Sequence, residues 1–147
     1  VSRSQIDTFI WQGEEPERAC TPDVLGDVDV LVLCHAEHEE PWERFKNRGL
    51  SGIIEAPFSD DCKTLDERGL SQAIHASFAV WLAVRSESRV LVTCHRGLNR
   101  SGLVVALALR GLKGWSGARA LEYVRSKRPG ALFNPGFAAY LTSLEAP

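Results

Sequence analysis

The stretch that most constrains this 147-residue chain runs from Arg89 to Leu112. Its first part, Arg89 to Thr93, is short, rich in valine and leucine and bounded by polar residues, the pattern of a buried central strand. Its last part, Ser101 to Leu112, is apolar nearly all round, the pattern of a buried helix that ends at Gly111 or Gly114. Between them lies the loop Cys94-His95-Arg96-Gly97-Leu98-Asn99-Arg100. A buried strand feeding a buried helix through so short a loop belongs to a layered α/β structure. It also points backbone N–H groups and the positive end of a helix dipole at whatever the loop encloses, which makes the loop a ready anion site.

The other elements fit that layering. Val28 to Cys34 reads as a second buried strand, with weaker strands at Thr8 to Trp11 and at Gly52 to Glu55. Pro41 to Asn47 reads as a short helix closed by Gly49. From Leu65 to about Arg85, the positions Leu70, Ala73, Ile74, Ser77, Phe78, Trp81 and Leu82 recur at three and four residues and mark one face of a helix. A further helix runs from an N-cap at Ser116 to Lys127, with Pro129 as its stop. Asn134-Pro135 opens a last helix through Leu144, with proline at the first helical position. The expected architecture is an α/β domain with a central mixed, mostly parallel sheet flanked by helices and covered on both sides.

Composition narrows the function classes. Hydrophobic residues make up 44% of the chain, enough for one folded domain with its own core. No run of about 18 apolar residues suited to a membrane span occurs. The first residues, Val1-Ser2-Arg3-Ser4-Gln5, lack the apolar core of a signal peptide, and Cys20, Cys34, Cys62 and Cys94 show no close metal-type pairing. A cytoplasmic protein with free thiols is expected. Net charge is −2, yet ten Lys/Arg and only two Glu fall between Arg85 and Arg128. A basic segment around the loop would draw in anionic substrates, whereas the weakly acidic whole argues against broad nucleic-acid binding. Most of these charges read equally well as solvated helix faces.

Five residues separate Cys94 from Arg100, and a loop of that length can curl round a single tetrahedral phosphate. Gly97 allows torsions that a side chain would obstruct. A helix N-terminus and a nearby arginine both favour the Cys94 thiolate, the nucleophilic form. The planar fork of Arg100 matches two phosphate oxygens as charge shifts in the transition state. Ser101 is placed to donate to the sulfur, and equally placed to cap the helix. Cysteine and arginine at this spacing are weak evidence as a pair. The full string Cys94-x-x-Gly97-x-x-Arg100-Ser101-Gly102 in a strand-loop-helix setting is specific.

That string resembles the signature of the protein tyrosine phosphatase superfamily, most closely the dual-specificity phosphatases. The resemblance extends to Ile10-Trp11-Gln12-Gly13, to Pro57-Phe58-Ser59-Asp60, and to Arg128-Pro129 followed by Asn134-Pro135-Gly136-Phe137. It implies one catalytic domain over residues 1–147 with a dual-specificity phosphatase-like fold. Its implied activity is hydrolysis of phosphotyrosine and phosphoserine or phosphothreonine on proteins through a cysteinyl-phosphate, with no cofactor and no metal. Cys94 would be the nucleophile and Arg100 the phosphate clamp. His95, Arg96, Gly97, Leu98 and Asn99 would line the phosphate, and Ser101 would assist the leaving sulfur. The general acid is placed in the turn Ala56 to Asp61, where Asp60 matches the family aspartate. Its separation from Cys94 is longer than the family pattern, so a shifted turn would favour Asp61, and Asp66 stands as a third candidate.

Departures from the pattern keep other readings open. Thr93 stands where the family usually has histidine, so either Thr93 supplies a substitute hydrogen bond or Cys94 is less acidified. Asn99 gives the segment Gly97 to Gly102 a likeness to RNA 5′-triphosphate phosphatases, which makes RNA a second substrate class. A catalytically inactive phosphate-binding module is the third. Phosphorylated proteins are the expected partners, with no membrane. His95 would sit at the pocket rim or face solvent. His35 and His38 are close in sequence, but no further ligands complete a metal pattern. Cys62 is near enough to the acid turn to form a reversible disulfide with Cys94, or to remain an unpaired thiol. Cys34 reads as core, Trp42 and Trp81 as packing residues, and Trp115 as packing with a possible surface role.

Overall fold

A computed structural model describes residues 3–15, 25–35, 45, 49–61 and 65–147. Among these residues lie five strands, β1 (Arg3–Asp7), β2 (Ile10–Glu14), β3 (Val30–Leu33), β4 (Gly52–Glu55) and β5 (Val90–Cys94), and four helices, α1 (Glu67–Arg85), α2 (Arg100–Lys113), α3 (Gly117–Lys127) and α4 (Pro135–Ser143). The strands form one sheet in the order β1-β2-β5-β3-β4. The β1–β2 pair is antiparallel and the other three pairs are parallel, which gives the mixed, mostly parallel sheet expected. The run at Val90 to Cys94 is buried at every residue and takes the central place.

Because side chains alternate along a strand, the sheet has two apolar faces. Val32, Val90 and Val92 face a core built with Ala76 and Val80 of α1, Leu103 and Val104 of α2, Val124 of α3 and Phe137 of α4. On the opposite face, Leu31, Leu33 and Leu91 pack with Leu25, Val28 and Phe45. The expected helix at Pro41 to Asn47 lies outside the described residues apart from Phe45, and so do Trp42, His38 and Cys62. No helix among the described residues is long and apolar enough to cross a membrane.

Two expectations require correction. The strand placed at Thr8 to Trp11 starts at Ile10, because Thr8 and Phe9 form the turn of a hairpin whose first strand, β1, carried no pattern to reveal it. As an edge strand, β1 buries only Ile6 and leaves its other residues part-exposed or exposed. The second correction concerns α1, which buries Gly69, Ala73, Ala76, Val80 and Ala83. Its large residues Ile74, Phe78 and Leu82 are 49%, 58% and 46% exposed. Small side chains let α1 lie close against α2 and the sheet, and this outweighs the stronger stripe of bulky residues. Phe78 instead stacks on Trp81, with ring centroids 5.8 Å apart, and Arg85 lies over the Trp81 ring. Trp115 packs against Tyr123 at 5.0 Å and under Arg119.

The later helix boundaries follow the sequence signals. Ser116 caps α3 by accepting from the Arg119 N–H, and Gly114 ends α2 in the left-handed conformation at φ 68°. Asn134 caps α4, accepting from the Gly136 and Phe137 N–H groups.

Candidate active site

The loop after β5 is held from beneath and from outside through its own backbone. At Gly97, φ is +69°, and a Cβ there would stand 2.2 Å from the carbonyl carbon of Gly13. Only glycine satisfies both the torsion and the contact with β2. Gln12 of β2 is fully buried and donates its amide to the Gly97 carbonyl at 3.0 Å and to the Leu98 carbonyl at 3.4 Å. From beyond α3, the buried Arg128 donates Nε–H to the same Gly97 carbonyl at 2.6 Å and a terminal N–H to Ser4 Oγ at 3.0 Å. Burial lowers the Arg128 pKa, against the opposing pull of Glu14 and Cys94, but a guanidinium stays charged at any physiological pH. The Leu132 N–H donates to the Leu98 carbonyl at 3.1 Å.

At the centre of this loop sits the Cys94 sulfur, in a residue only 2% exposed. The Ser101 N–H donates to Sγ at 3.4 Å, and Ser101 Oγ lies 3.3 Å from the same atom. The Gln12 amide also donates to Ser101 Oγ, at 3.3 Å, which leaves the hydroxyl proton free to point at sulfur. Thr93 does not take the place of the family histidine in this network, because its hydroxyl turns to the Val32 carbonyl at 3.4 Å. Gln12 and Ser101 organise the sulfur instead. Nor does Ser101 cap α2, since Asn99 occupies the N-cap and Ser101 lies within the first turn. Cys34, on the neighbouring strand end, is a different kind of thiol: burial pushes its pKa well up and keeps it neutral.

Arg100 donates a terminal N–H to the Phe58 carbonyl at 3.3 Å, while its Nε is buried without a hydrogen-bond partner. Buried polar groups are nearly always satisfied, so an orphaned guanidinium N–H beside a cysteine sulfur marks a place for an anionic ligand. Cys94, Arg96, Arg100, Asp60 and Phe133 line a pocket of about 90 Å³.

Asp60 reaches the pocket from the turn after β4. Its two carboxylate oxygens accept from different asparagines, Asn99 Nδ2 at 3.1 Å and Asn134 Nδ2 at 2.6 Å. The asparagines are joined in turn, because Asn99 Oδ1 accepts from the Asn134 N–H at 2.9 Å. Asp61 meets Asn134 through its backbone carbonyl, and Asp66 accepts from the Gly69 N–H as the N-cap of α1. Of the three acid candidates, Asp60 is the one lining the pocket that holds Cys94.

His95 is 60% exposed in its side chain and lines the same pocket. Its partners are Glu15 and His35 rather than bulk solvent alone: Glu15 lies 3.4 Å from the Nδ1 atom of each histidine, and the imidazole rings are stacked 5.2 Å apart. Among the described residues, the ligand atoms of these three lie within 4.8 Å of one another. Sequence reasoning missed Gln12, Arg128, Asn134 and Glu15 as parts of the site. The available signals were the segments Ile10-Trp11-Gln12-Gly13, Arg128-Pro129 and Asn134-Pro135-Gly136-Phe137, whose family likeness includes three of these residues without giving them a role at the loop.

Comparisons with known proteins bear on the family and the fold. The family model described as dual specificity phosphatase, catalytic domain, matches residues 10–146. Human dual specificity phosphatase 28 is 40% identical over 121 residues, covering 82% of this chain and 65% of that protein. Dual specificity protein phosphatase 1B of Arabidopsis thaliana is 40% identical over 63 residues, covering 43% of this chain and 38% of that one. The chain thus spans less than two thirds of the length of either relative. Among solved structures, the active form of Tk-PTP superposes with a TM-score of 0.82 at 29% identity, covering 98% of this chain and 96% of that one. Human DUSP28 superposes with a TM-score of 0.78 at 26% identity, covering 97% and 92%.

Proposed function

The chain belongs to the dual specificity phosphatase family, and from that premise we propose that it hydrolyses phosphotyrosine and phosphoserine or phosphothreonine on proteins through a cysteinyl-phosphate. The observation that carries this reading is the unpartnered, buried Nε of Arg100 in a pocket it shares with Cys94 and Asp60.

The substrate phosphate enters the loop with its oxygens toward the loop N–H groups and the Arg100 fork. The Cys94 thiolate attacks phosphorus in line, the bond to the ester oxygen breaks, and Asp60 gives that oxygen its proton. In the second step Asp60, now a carboxylate, takes a proton from water as the water oxygen attacks phosphorus. The bond to sulfur breaks, and Ser101 donates to the departing thiolate. Inorganic phosphate leaves and the cycle returns to its start. Asn99 and Asn134 aim the carboxyl group throughout.

Phe133, 56% exposed on the pocket wall, offers an aromatic surface for the ring of a phosphotyrosine. Asn99, which carried the likeness to RNA phosphatases, is committed to Asp60 and Asn134, so it does not favour an RNA substrate. The free thiols of Cys34 and Cys94 suit a reducing compartment, and we assign the cytoplasm.

The test presents the protein and its Cys94→Ser variant with phosphotyrosine peptide, phosphothreonine peptide and 5′-triphosphate RNA. Turnover of both peptides by the parent and their retention by the variant is expected. Retention of RNA alone would overturn the substrate class. Tight phosphate binding with no turnover of any of them would make the domain a binding module.

A further inference from the structure

We propose that Glu15, His35 and His95 form a binding site for a zinc-class divalent cation at the rim of the phosphate loop. The sheet brings them together. Gly13 of β2 and Leu33 of β3 both pair with Thr93 of β5, forming one row across three parallel strands. Glu15, His35 and His95 each lie two residues beyond that row, so they emerge at the same end of the sheet and in the same phase of the alternation. Adjacent strands are about 4.8 Å apart, close enough for side chains in one row to converge.

The spacing of the donor atoms fits a metal better than a set of direct hydrogen bonds. His35 Nδ1 lies 3.4 Å from one oxygen of Glu15, and His95 Nδ1 lies 3.4 Å from the other. A direct N–H···O bond centres near 2.9–3.0 Å, roughly, and thins out beyond about 3.2 Å. For zinc at about 2.0–2.1 Å from nitrogen and oxygen ligands, the edge of a tetrahedron is roughly 3.3–3.4 Å, so each histidine with its facing oxygen already spans one edge, and a turn of the Glu15 carboxylate brings one oxygen toward both. The ligand atoms of the three residues all lie within 4.8 Å of one another, and His95, with its side chain 60% exposed, has room to turn toward the other two.

The donor set also selects among cations. Two imidazoles and one carboxylate suit zinc, and other imidazole-seeking ions, over magnesium or calcium, which prefer all-oxygen shells. Three protein ligands leave a fourth position open. Since His95 is the residue after Cys94, a cation there sets a double positive charge beside the anion pocket.

The test is calorimetric titration of zinc into the metal-free Cys94→Ser variant, which removes the catalytic sulfur as a rival ligand, checked by competition with a chromophoric chelator. One equivalent of zinc is expected to bind, with magnesium at the same concentration unable to displace it. Adding Glu15→Gln, which keeps the shape but removes the charge and turns one acceptor oxygen into an amide donor, should weaken zinc binding by at least about tenfold, and His35→Gln should do the same. Both variants are expected to show the far-UV circular dichroism and cooperative thermal unfolding of the parent, showing that they fold. Zinc binding that is absent, or unchanged by Glu15→Gln and His35→Gln, would overturn the proposal.

Discussion

The phosphate loop and the acid turn face each other across one small pocket, yet they are held in different ways. The curl of the loop at Gly97 and Leu98 is fixed through its main chain: Gly97 fits against Gly13, and the carbonyls of Gly97 and Leu98 accept from Gln12, Arg128 and Leu132. Asp60 is held through its own carboxylate, by two asparagine amides. One of these, Asn99, belongs to the loop itself. The loop that carries Cys94 is therefore shaped by the backbone of the fold, whereas the position of Asp60 is borrowed from that loop through side chains.

Substitutions can break or sharpen this contrast, beginning with the largest effect. Cys94→Ser should lower turnover of an aryl phosphate by at least about 10⁴-fold, since no other group in the pocket replaces the nucleophile; rapid-quench kinetics would also show loss of the phosphoenzyme. Arg100→Lys should cost about 10²- to 10³-fold in kcat, because an ammonium keeps the charge but loses the fork. Asp60→Asn should slow an alkyl phosphate, such as a phosphothreonine peptide, by about 10²-fold and affect an aryl ester with a good leaving group far less.

The smallest effects bear most directly on the contrast. Asn99→Ala should reproduce the leaving-group dependence of Asp60→Asn at about tenfold, the size of one lost hydrogen bond. Gln12→Leu, which frees the loop carbonyls, should slow alkyl and aryl substrates alike and destabilise the protein by about 1–3 kcal/mol in denaturant unfolding. Equal slowing of both substrates by Asn99→Ala would show that the acid turn is not held independently of the loop's phosphate-binding shape.

The parts legible in the sequence were those governed by local pattern. The strand at Val90, the glycine loop and the apolar helix after it are each a property of a few adjacent residues, and so are the caps at Ser116 and Asn134. What stayed hidden was set by distant partners. Gln12 meets a carbonyl 85 residues away, and nothing around Gln12 announces that the loop needs a donor there. Asn134 was readable as a cap through its side-chain oxygen, but the use of its amide nitrogen on Asp60 depends on a turn 74 residues earlier. On α1, periodicity identified the helix but chose the wrong face, because close packing favours alanine over bulk where two layers meet. The approach of His35 to His95 was hidden in the same way, because it depends on the pairing of β3 with β5, 60 residues apart.

The unpartnered Nε of Arg100 has a consequence for the protein as a material. An unmet buried N–H costs about 1–3 kcal/mol, and a tetrahedral oxyanion that meets it returns that amount to the folded form alone. Occupancy of the pocket and foldedness are thus thermodynamically linked. An oxyanion of the right shape, reactive or inert, is expected to raise the melting temperature in a thermal-shift measurement, so that the pocket would report its ligands through heat before a single bond is broken.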